Sequence, residues 1–311
     1  FEFKEIFDVI RTVAPDIVHL VTIKPVLFGG IAARILNVSS VVFAISGLGY
    51  VFLDSGLRAF FRKKTITFLY KIAFKHKNKR VIFQNNDDKS TLIKFSKISS
   101  NESALIQGSG VNLSLFTQQK LNSNMPIIML CARLLKDKGV IEFVQAAKLV
   151  NRSIIRARFV LVGEVDLKNP SSITHQELEK WEREKIVEHW GQRDDMNNVI
   201  SSANIVVLPS YREGFPKILI EAAACGRAVI TTDVPGCKDA IKKDVTGILV
   251  PVQDYKKLAN KISYLLDNPQ ILKRMGDAGR KRAEELFDIN EVVKKHLKIY
   301  SELLLFSNNR G

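Results

Sequence analysis

Short apolar runs alternate with longer stretches of helical spacing along most of the chain. The runs are rich in β-branched residues, whereas the stretches between them place apolar residues three or four positions apart. This alternation is typical of βα units on parallel sheets, so the pattern predicts the α/β class. The predicted strands form two sets, at 16–21, 41–45, 81–83 and 104–107, and then at 127–132, 159–162, 186–187, 205–208, 228–231 and 247–250.

A polar, glycine-containing stretch separates the two sets of strands, at 108–111 and 117–124, and it predicts a linker. The length of 311 residues also suggests two domains, at roughly 100–200 residues each. We therefore expect two Rossmann-like domains, 1–122 and 123–311, facing a cleft. Beyond about Tyr255 the pattern becomes wholly helical, and we expect these helices to close the second sheet.

The chain begins inside a stretch of helical spacing that includes Phe3, Phe7 and Ile10. A Rossmann half normally opens with a strand and a phosphate-facing turn. The pattern therefore predicts a first domain that lacks its N-terminal strands.

The charge of the chain narrows the classes of partner. The net charge is +15, and the segment 55–80, called here the basic segment, contains no Asp or Glu. Such a balance indicates an acidic partner, which can be nucleic acid, an anionic membrane face or a phosphate-bearing substrate. The cations of the basic segment are Arg58, Arg62, Lys63, Lys64, Lys71, Lys75, Lys77, Lys79 and Arg80.

The cysteines and the lengths of the apolar runs indicate the cellular compartment of the protein. Cys131, Cys225 and Cys237 form no C-x-x-C pair, so neither a disulfide framework nor a zinc site is indicated. The apolar runs are strand-sized and fall short of the ~18–20 residues that cross a bilayer. We expect a cytoplasmic protein without a membrane span.

The segment from Leu208 to Glu221 places a strand, a loop and a helix in order. Pro216 suits the first helical position, so the free N–H groups of that helix should lie beside the loop. A helix N-terminus of this kind favours a diphosphate. Glu213 and Glu221 can then bond to the hydroxyls of one anionic ligand. The alternative is a capping role for Glu213 and a solvated position for Glu221.

The strand that ends at Ala132 is followed by Arg133-Leu-Leu-Lys-Asp-Lys-Gly139. This order places cations and a glycine at the carboxyl end of a strand, the edge where open α/β sheets bind ligands. We therefore expect Arg133 and Lys138 to face phosphates, the arginine as a planar fork and the lysine as a point charge. A basic surface turn is the alternative.

Together these motifs resemble those of the retaining glycosyltransferases of family 4, which have the GT-B fold, and in particular those of bacterial polysaccharide, O-antigen and lipid-linked oligosaccharide synthesis. The resemblance covers essentially the whole second domain, with weaker matches in the first at 15–19, 46–49 and 108–111. Its segments in the second domain are 133–139, Gly191-Gln-Arg-Asp-Asp-Met196, Glu213-x7-Glu221, 225–236 and 244–251.

The resemblance implies a retaining hexosyltransferase that moves a sugar from a nucleotide diphosphate, most often UDP, to an acceptor. The acceptor would be a glycan or a polyprenyl-diphosphate-linked molecule in cell-surface polysaccharide synthesis. No D-x-D sequence occurs in the chain, so a carboxylate-bound metal is not indicated and no cofactor is expected. Arg133 and Lys138 would instead bind the diphosphate and stabilise charge on the leaving group.

The resemblance also implies roles for the other residues of the donor site. Glu213 would hold sugar hydroxyls together with the backbone of Gly214 and Phe215, and Glu221 would hold the ribose hydroxyls. The residues from Gly191 to Arg193 would lie against the base. Pro235 and Gly236 are expected to shape a turn.

The acceptor side carries weaker signals. Many relatives have a histidine where this chain has Ser46-Gly47-Leu48-Gly49, so this loop departs from the family's pattern. His19 can approach the acceptor from a strand of the first domain, and a structural role is its alternative. Asn85, at another strand end, is predicted as a further acceptor-side contact.

The basic segment permits two compatible interpretations: a helix packed on its own sheet, or an interfacial helix on the inner face of the cell membrane. A membrane-facing first domain would suit a polyprenyl-linked acceptor. Two rival functions remain open, an epimerase or phosphorylase on the same fold and a non-catalytic basic module. Arg133-x4-Lys138 with Glu213-x7-Glu221 favours the transferase, and no nucleic-acid partner is expected.

Overall fold

The computed structural model describes residues 2–48, 56–96, 98–121, 125–151 and 157–308. The chain divides into two compact units, the first comprising Phe1–Gly108 with Asn290–Gly311 and the second Ser109–Ile289. The second unit thus begins within the first part of the predicted linker and before the predicted boundary at 122, since the Val111 amide donates to the Phe287 carbonyl at 2.8 Å. Gly49, in the weaker first-domain match, lies outside the described residues.

The first unit is built on a parallel sheet in the order β1-β2-β3-β4. Its strands are β1 (Ile17–Val21), β2 (Ser40–Ile45), β3 (Lys79–Phe83) and β4 (Ser103–Leu105). The helices that connect or precede them are α1 (Glu2–Val13), α2 (Ile23–Ile35), α3 (Leu57–Ala73) and α4 (Asn86–Ser96). Helix α2 lies close to the sheet, because a Cβ added at Gly30 would come within 2.6 Å of the Phe43 ring.

Helix α12 (Ile289–Asn308) also packs on the first sheet. Successive side chains of a strand point to opposite faces. Accordingly Phe43 joins the cluster beneath α2 and α3, whereas Val42 packs against Ile299 and Leu303 of α12. The expectation that the C-terminal helices close the second sheet therefore differs from the structure for α12, whose apolar side chains fill the other face of the first sheet.

The second unit is built on a six-stranded parallel sheet in the order β10-β9-β8-β5-β6-β7. Its strands are β5 (Ile127–Cys131), β6 (Arg158–Val162), β7 (Glu188–His189), β8 (Ile205–Leu208), β9 (Ala228–Thr232) and β10 (Gly247–Val250). Each predicted strand corresponds to one of these, although β7 begins two residues later than predicted. The prediction of an α/β protein with two parallel sheets is confirmed.

Helices cover both faces of the second sheet, which is why the central strand β5 is buried along its whole length. One apolar cluster contains residues of α5 and α10, and the other contains residues of α7, α8 and α11. The helices are α5 (Val140–Val150), α6 (His175–Arg183), α7 (Met196–Ser202), α8 (Lys217–Ala224), α9 (Cys237–Ala240), α10 (Tyr255–Asp267) and α11 (Pro269–Leu286). Within the described parts of the chain, no helix is both long enough and apolar enough to cross a bilayer.

The strand order fixes where a ligand can bind in the second unit. From β5 the chain moves outward to β6 and β7, and it then returns to form β8 on the other side of β5. The loops after β5 and β8 therefore leave one edge of the sheet in opposite directions. Open α/β sheets bind their ligands at such a switch point.

Candidate active site

The switch point brings together two residues that lie far apart in the sequence. Lys138 ends a 3-10 turn (Lys136–Lys138) after β5, and Glu213 lies in the loop after β8. The Nζ of Lys138 and the Oε1 of Glu213 are 2.5 Å apart, and both side chains are largely buried, with 18% and 14% of their surface exposed. The Ser210 hydroxyl donates to the same carboxylate oxygen at 2.8 Å. A cation and a carboxylate thus lie side by side at the ligand-binding edge.

Two glycines allow the loops around this pair to approach one another. Gly139 has a φ of +75°, and a Cβ there would lie 2.3 Å from the Pro209 carbonyl oxygen. Gly236 has a φ of +80°, and a Cβ there would lie 2.6 Å from the carbonyl oxygens of Glu213 and Gly214. Both positions therefore require glycine on conformational and on steric grounds. For Gly236 this supports the predicted turn role.

A cavity of about 460 Å³ opens at the same edge of the second sheet. Its lining includes Arg133, Gln192, Arg193 and Glu221. The structure thus places four of the predicted donor-site side chains around one space. It is large enough for part of a nucleotide, since ligand pockets typically measure ~300–1,000 Å³.

Arg133 is the more exposed of the two predicted phosphate-binding cations. Its Nη1 lies 3.4 Å from the Asp166 carboxylate, and 63% of its side chain is exposed. An exposed pair at this distance contributes little stability. The guanidinium is therefore free to turn toward an anion in the cavity.

Glu221 lies in the second turn of α8, and its side chain is 7% exposed. Its carboxylate is 3.2 Å from the exposed ammonium of Lys217. Burial raises the pKa of Glu221, and Lys217 only partly opposes this effect. A buried carboxylate at the rim of a cavity is suited to accept hydrogen bonds from ligand hydroxyls, which would replace the water it has lost.

Gln192 and Arg193 line the side of the cavity that follows β7, and Gly191 directly precedes them. Gly191 has a φ of +66°, and its carbonyl accepts a hydrogen bond from the Gly163 amide at 2.8 Å. Arg193 forms a two-bond ion pair with Asp195, at 2.8 and 2.9 Å. This pair fixes the plane of the guanidinium at the cavity wall.

Helix α8 begins four residues after Glu213, the carboxylate of the Lys138–Glu213 ion pair. Pro216 retains an extended backbone, with φ −72° and ψ 119°, so the helix begins at Lys217, one residue later than the sequence predicts. Phe215 is buried, and its ring packs against Phe287 with the centroids 5.7 Å apart. Phe215 thus anchors the loop while Gly214 remains beside Glu213.

The predicted acceptor-side residues all lie in the first unit. His19 is in the middle of β1, and its Nδ1 is 2.7 Å from the Tyr300 hydroxyl of α12. Partial burial, and then the neighbouring His296, lower the pKa of His19. These contacts are structural ones within the unit, and the acceptor role of His19 stays a prediction.

Ser46 and Gly47 directly follow the carboxyl end of β2, and both are partly buried. Asn85 caps α4: its Oδ1 accepts from the Asp88 amide at 2.8 Å, and its Nδ2 donates to the Asp88 carboxylate at 3.0 Å. Both side chains of this capping pair are fully buried. Their roles toward an acceptor also remain predictions.

The structure adds residues that the sequence predictions omitted. Glu164 and Asp166 line the cavity, and Ser210 contacts Glu213. Each follows a strand by a few residues at the carboxyl edge of the sheet. The signal that identified Arg133 therefore applied to them as well.

Comparisons with known proteins agree with this arrangement. The family model described as "Glycosyl transferases group 1" matches residues 113–282, and "Glycosyl transferase 4-like" matches residues 1–85. The chain is 29% identical over 309 residues to the N,N'-diacetylbacillosaminyl-diphospho-undecaprenol alpha-1,3-N-acetylgalactosaminyltransferase of Campylobacter jejuni. The aligned region covers 95% of this chain and 79% of that protein. The chain is also 26% identical to an Escherichia coli UDP-Gal:alpha-D-GlcNAc-diphosphoundecaprenol alpha-1,3-galactosyltransferase, and the aligned region covers 93% of this chain and 76% of that protein.

Two solved structures also superpose on most of this chain. Sucrose-phosphate synthase from Thermosynechococcus elongatus superposes with a TM-score of 0.81 at 25% identity, with 97% of this chain and 77% of that chain covered. Anabaena HepE in complex with UDP and glucose superposes with a TM-score of 0.80 at 18% identity, with 95% and 80% covered. The likeness to HepE is one of fold.

Proposed function

Since the chain belongs to the group 1 glycosyltransferases, whose family model matches more than half of it, we propose that it transfers a sugar from UDP with retention of anomeric configuration. The predicted GT-B fold class is confirmed by the two parallel sheets and the solved structural neighbours. The observation that carries the proposal is the Lys138–Glu213 pair beside a cavity that Arg133 and Glu221 line.

Each group of the site has a function suited to its surroundings. Lys138 and Arg133 bind the donor diphosphate, because Lys138 lies at the switch point and Arg133 lines the cavity at the same edge of the sheet. Glu213 accepts hydrogen bonds from sugar hydroxyls, and the buried Glu221 accepts them from the ribose. Gly191 to Arg193 lie along the base, with the Arg193 guanidinium held in one plane by Asp195.

The chemical step follows from this placement of charge. As the bond between the anomeric carbon and the UDP oxygen breaks, negative charge develops on the departing diphosphate, where Lys138 and Arg133 stabilise it. The acceptor oxygen bonds to the anomeric carbon from the same face, and its proton passes to the departing phosphate oxygen. The cations supply the stabilisation of the leaving group, so the proposed reaction needs no bound metal.

We propose that the acceptor is a polyprenyl-diphosphate-linked sugar used in cell-surface polysaccharide synthesis. Both bacterial relatives described above are named for diphospho-undecaprenol acceptors, and each aligns with more than nine-tenths of this chain. Such an acceptor is held in a membrane, so the enzyme must work at the membrane surface.

The basic segment offers a surface for this contact. Helix α3 exposes three phenylalanines, Phe60, Phe61 and Phe68, each with about 60% of its surface accessible. Exposed aromatic rings beside lysines and arginines are suited to an anionic lipid interface, where each cation contributes ~1 kcal/mol. We therefore propose a cytoplasmic enzyme bound peripherally to the inner face of the cell membrane.

The deciding experiment for the reaction is a hydrolysis screen across nucleotide sugars, followed by transfer to a polyprenyl-diphosphate-linked sugar. Lys138→Ala and Glu221→Ala should each weaken UDP binding by roughly 10- to 150-fold, because each removes a charge-assisted hydrogen bond. Lys256→Ala, on an exposed lysine of α10, is the matched control. Unchanged UDP affinity in both site variants would overturn the site assignment.

The membrane contact has its own test, sedimentation with anionic phospholipid vesicles at low ionic strength, where such attraction is strongest. The first variant replaces four cations of α3, Arg62, Lys63, Lys64 and Lys71, by Ser, and it should bind the vesicles less than the parent. The control variant replaces four exposed lysines of the second unit, Lys180, Lys256, Lys257 and Lys273, by Ser, and it should bind as the parent does. Equal binding by parent and α3 variant would refute the contact.

A further inference from the structure

Tyr211, in the loop that carries Glu213, makes two hydrogen bonds to the segment that carries Lys138. Its backbone amide donates to the Asp137 carbonyl at 2.9 Å. Its hydroxyl donates to the Glu142 Oε1 at 2.8 Å. One residue therefore connects the loop after β8 both to the 3-10 turn after β5 and to the first turn of α5.

Glu142 is held firmly in this contact by its surroundings. Its side chain is on the buried side of α5, with 8% of the residue exposed. Its second oxygen, Oε2, is buried and has no hydrogen-bond partner among the described residues. A buried carboxylate is costly unless it is hydrogen-bonded, so the bond from Tyr211 is expensive to lose.

The Tyr211 hydroxyl is a reliable donor near neutral pH. Burial, and then the Glu142 carboxylate, raise its pKa to about 12. The side chain of Gln253, in the loop before α10, also hydrogen-bonds to this hydroxyl. Gln253 has a φ of +62°, a backbone conformation that residues other than glycine rarely adopt. Two loops and the first turn of α5 therefore meet at one hydroxyl group.

The hydrogen bonds of Tyr211 reach the segments that carry both residues of the Lys138–Glu213 ion pair. Tyr211 precedes Glu213 by two residues, while Asp137 and Glu142 lie on either side of Lys138. The bonds of Tyr211 thus connect the backbone segments that hold the two members of the ion pair. Misplacement by ~1 Å of groups that orient a reacting sugar can cost ~100-fold in rate.

We propose that Tyr211 and Glu142 are a positioning pair that holds Glu213 against Lys138, and so sets the rate of sugar transfer rather than the affinity for the nucleotide. This rests on the proposed function of Lys138 and Glu213. The Tyr211 hydroxyl donates to Glu142 and the Tyr211 amide donates to the Asp137 carbonyl, so Tyr211 acts on the site through the loop that carries Glu213.

The test is Tyr211→Phe, which removes the hydroxyl and keeps the ring. We expect kcat for UDP-sugar hydrolysis or transfer to fall roughly 10- to 150-fold, the effect of one hydrogen bond to a charged group. The dissociation constant of UDP should change less than about twofold, since Arg133 and Glu221 are untouched. Tyr264→Phe, on an exposed tyrosine of α10, is the matched control and should retain the parent's kcat.

A second variant tests whether the two residues act as a unit. Glu142→Gln keeps an oxygen that accepts from Tyr211 but removes the charge, so its loss in kcat should be smaller than that of Tyr211→Phe. The double variant should lose no more than Tyr211→Phe alone, because coupled residues are non-additive. Losses that multiply would refute the pairing.

Two other outcomes overturn the inference. One is a Tyr211→Phe enzyme with the parent's kcat. The other is a loss of UDP affinity as large as the loss of kcat/KM, which would mean that the hydroxyl supports the fold of the site as a whole. Failure of the proposed function is distinguishable, because the parent chain itself would then neither bind UDP nor hydrolyse a nucleotide sugar.

Discussion

Replacement of Lys138 by Met removes the charge of the buried ion pair and keeps most of the side-chain volume. The Glu213 carboxylate would then be left with the Ser210 hydroxyl as its neighbouring donor in the described structure. Its side chain is 14% exposed, so solvent compensates only in part. Replacement of Glu213 by Gln in the same chain removes the second charge and leaves a neutral pair.

The magnitude follows from this partial burial. Loss of one partner from a fully buried pair costs ~3–5 kcal/mol, and the residual exposure here lowers the expectation to about 2–3 kcal/mol. In a unit of this size the cost corresponds to a fall in Tm of roughly 5–10 °C. The Lys138→Met/Glu213→Gln double variant should recover most of this loss, because no unpaired charge stays buried.

Ligand binding should behave differently from stability. Lys138→Met removes a cation from the proposed diphosphate site, which should weaken UDP binding by roughly 10- to 150-fold. The double variant should remain at least about tenfold weaker than the parent, since it also lacks the cation. Calorimetric unfolding and UDP titration of the parent, both single variants and the double variant provide the two readouts.

Two results would refute this reasoning. If UDP affinity returned to the parent value in the double variant, Lys138 would act only by neutralising Glu213 and would not bind the diphosphate. If Lys138→Met left the Tm unchanged, the ion pair would not be a buried contact in solution.

Further predictions concern the pH dependence of UDP affinity, sugar transfer without a metal ion and the binding of α3 to lipid vesicles. Because burial raises the pKa of Glu221 above its ordinary value of 4.5 and the proposed ribose bonds need the ionised carboxylate, UDP affinity should increase as the pH rises through that pKa and then level off. A Glu221→Gln variant should show a shallower pH dependence of UDP affinity than the parent, and a dependence equal to the parent's would exclude Glu221 as a titrating group. Sugar transfer should persist in excess chelator, and its abolition with rescue by manganese would contradict the cation-based mechanism. Serine at Phe60, Phe61 and Phe68 should make vesicle binding more sensitive to salt, because the attraction that remains is electrostatic and screened. An unchanged salt dependence in sedimentation assays would mean that these rings do not enter the lipid.

The local pattern of residues determined the elements of this protein. Strand β5 reads Ile-Ile-Met-Leu-Cys and is buried along its length, as a strand covered on both faces must be. The residues that follow such strands are polar or charged, and carboxyl ends of parallel strands share an edge. For that reason Arg133, Lys138 and Glu213 were predicted from sequence, while Glu221 was predicted from the helix that follows Pro216, and the family match agrees with the predicted class of enzyme.

The tertiary structure decided which of these residues meet. Strand order placed β8 beside β5, and this brought Glu213 to within 2.5 Å of Lys138, 75 positions earlier in the chain. The local pattern does not encode that order, because β5, β6, β8, β9 and β10 are all largely apolar. The same holds for α12, whose amphipathic spacing suits either sheet and whose side chains pack on the first.

The contacts between loops were also decided by the tertiary structure. The sequence around Tyr211 is that of an ordinary turn, and Glu142 has the position of a solvated first-turn acid. Their hydrogen bond exists because the loop after β8 and the first turn of α5, which have no sequence relation, lie at the same edge of the sheet. Apolar periodicity is a property of neighbours along the chain and determines the elements. A buried polar pair is a property of neighbours in space, and only the packing of the sheet decides it.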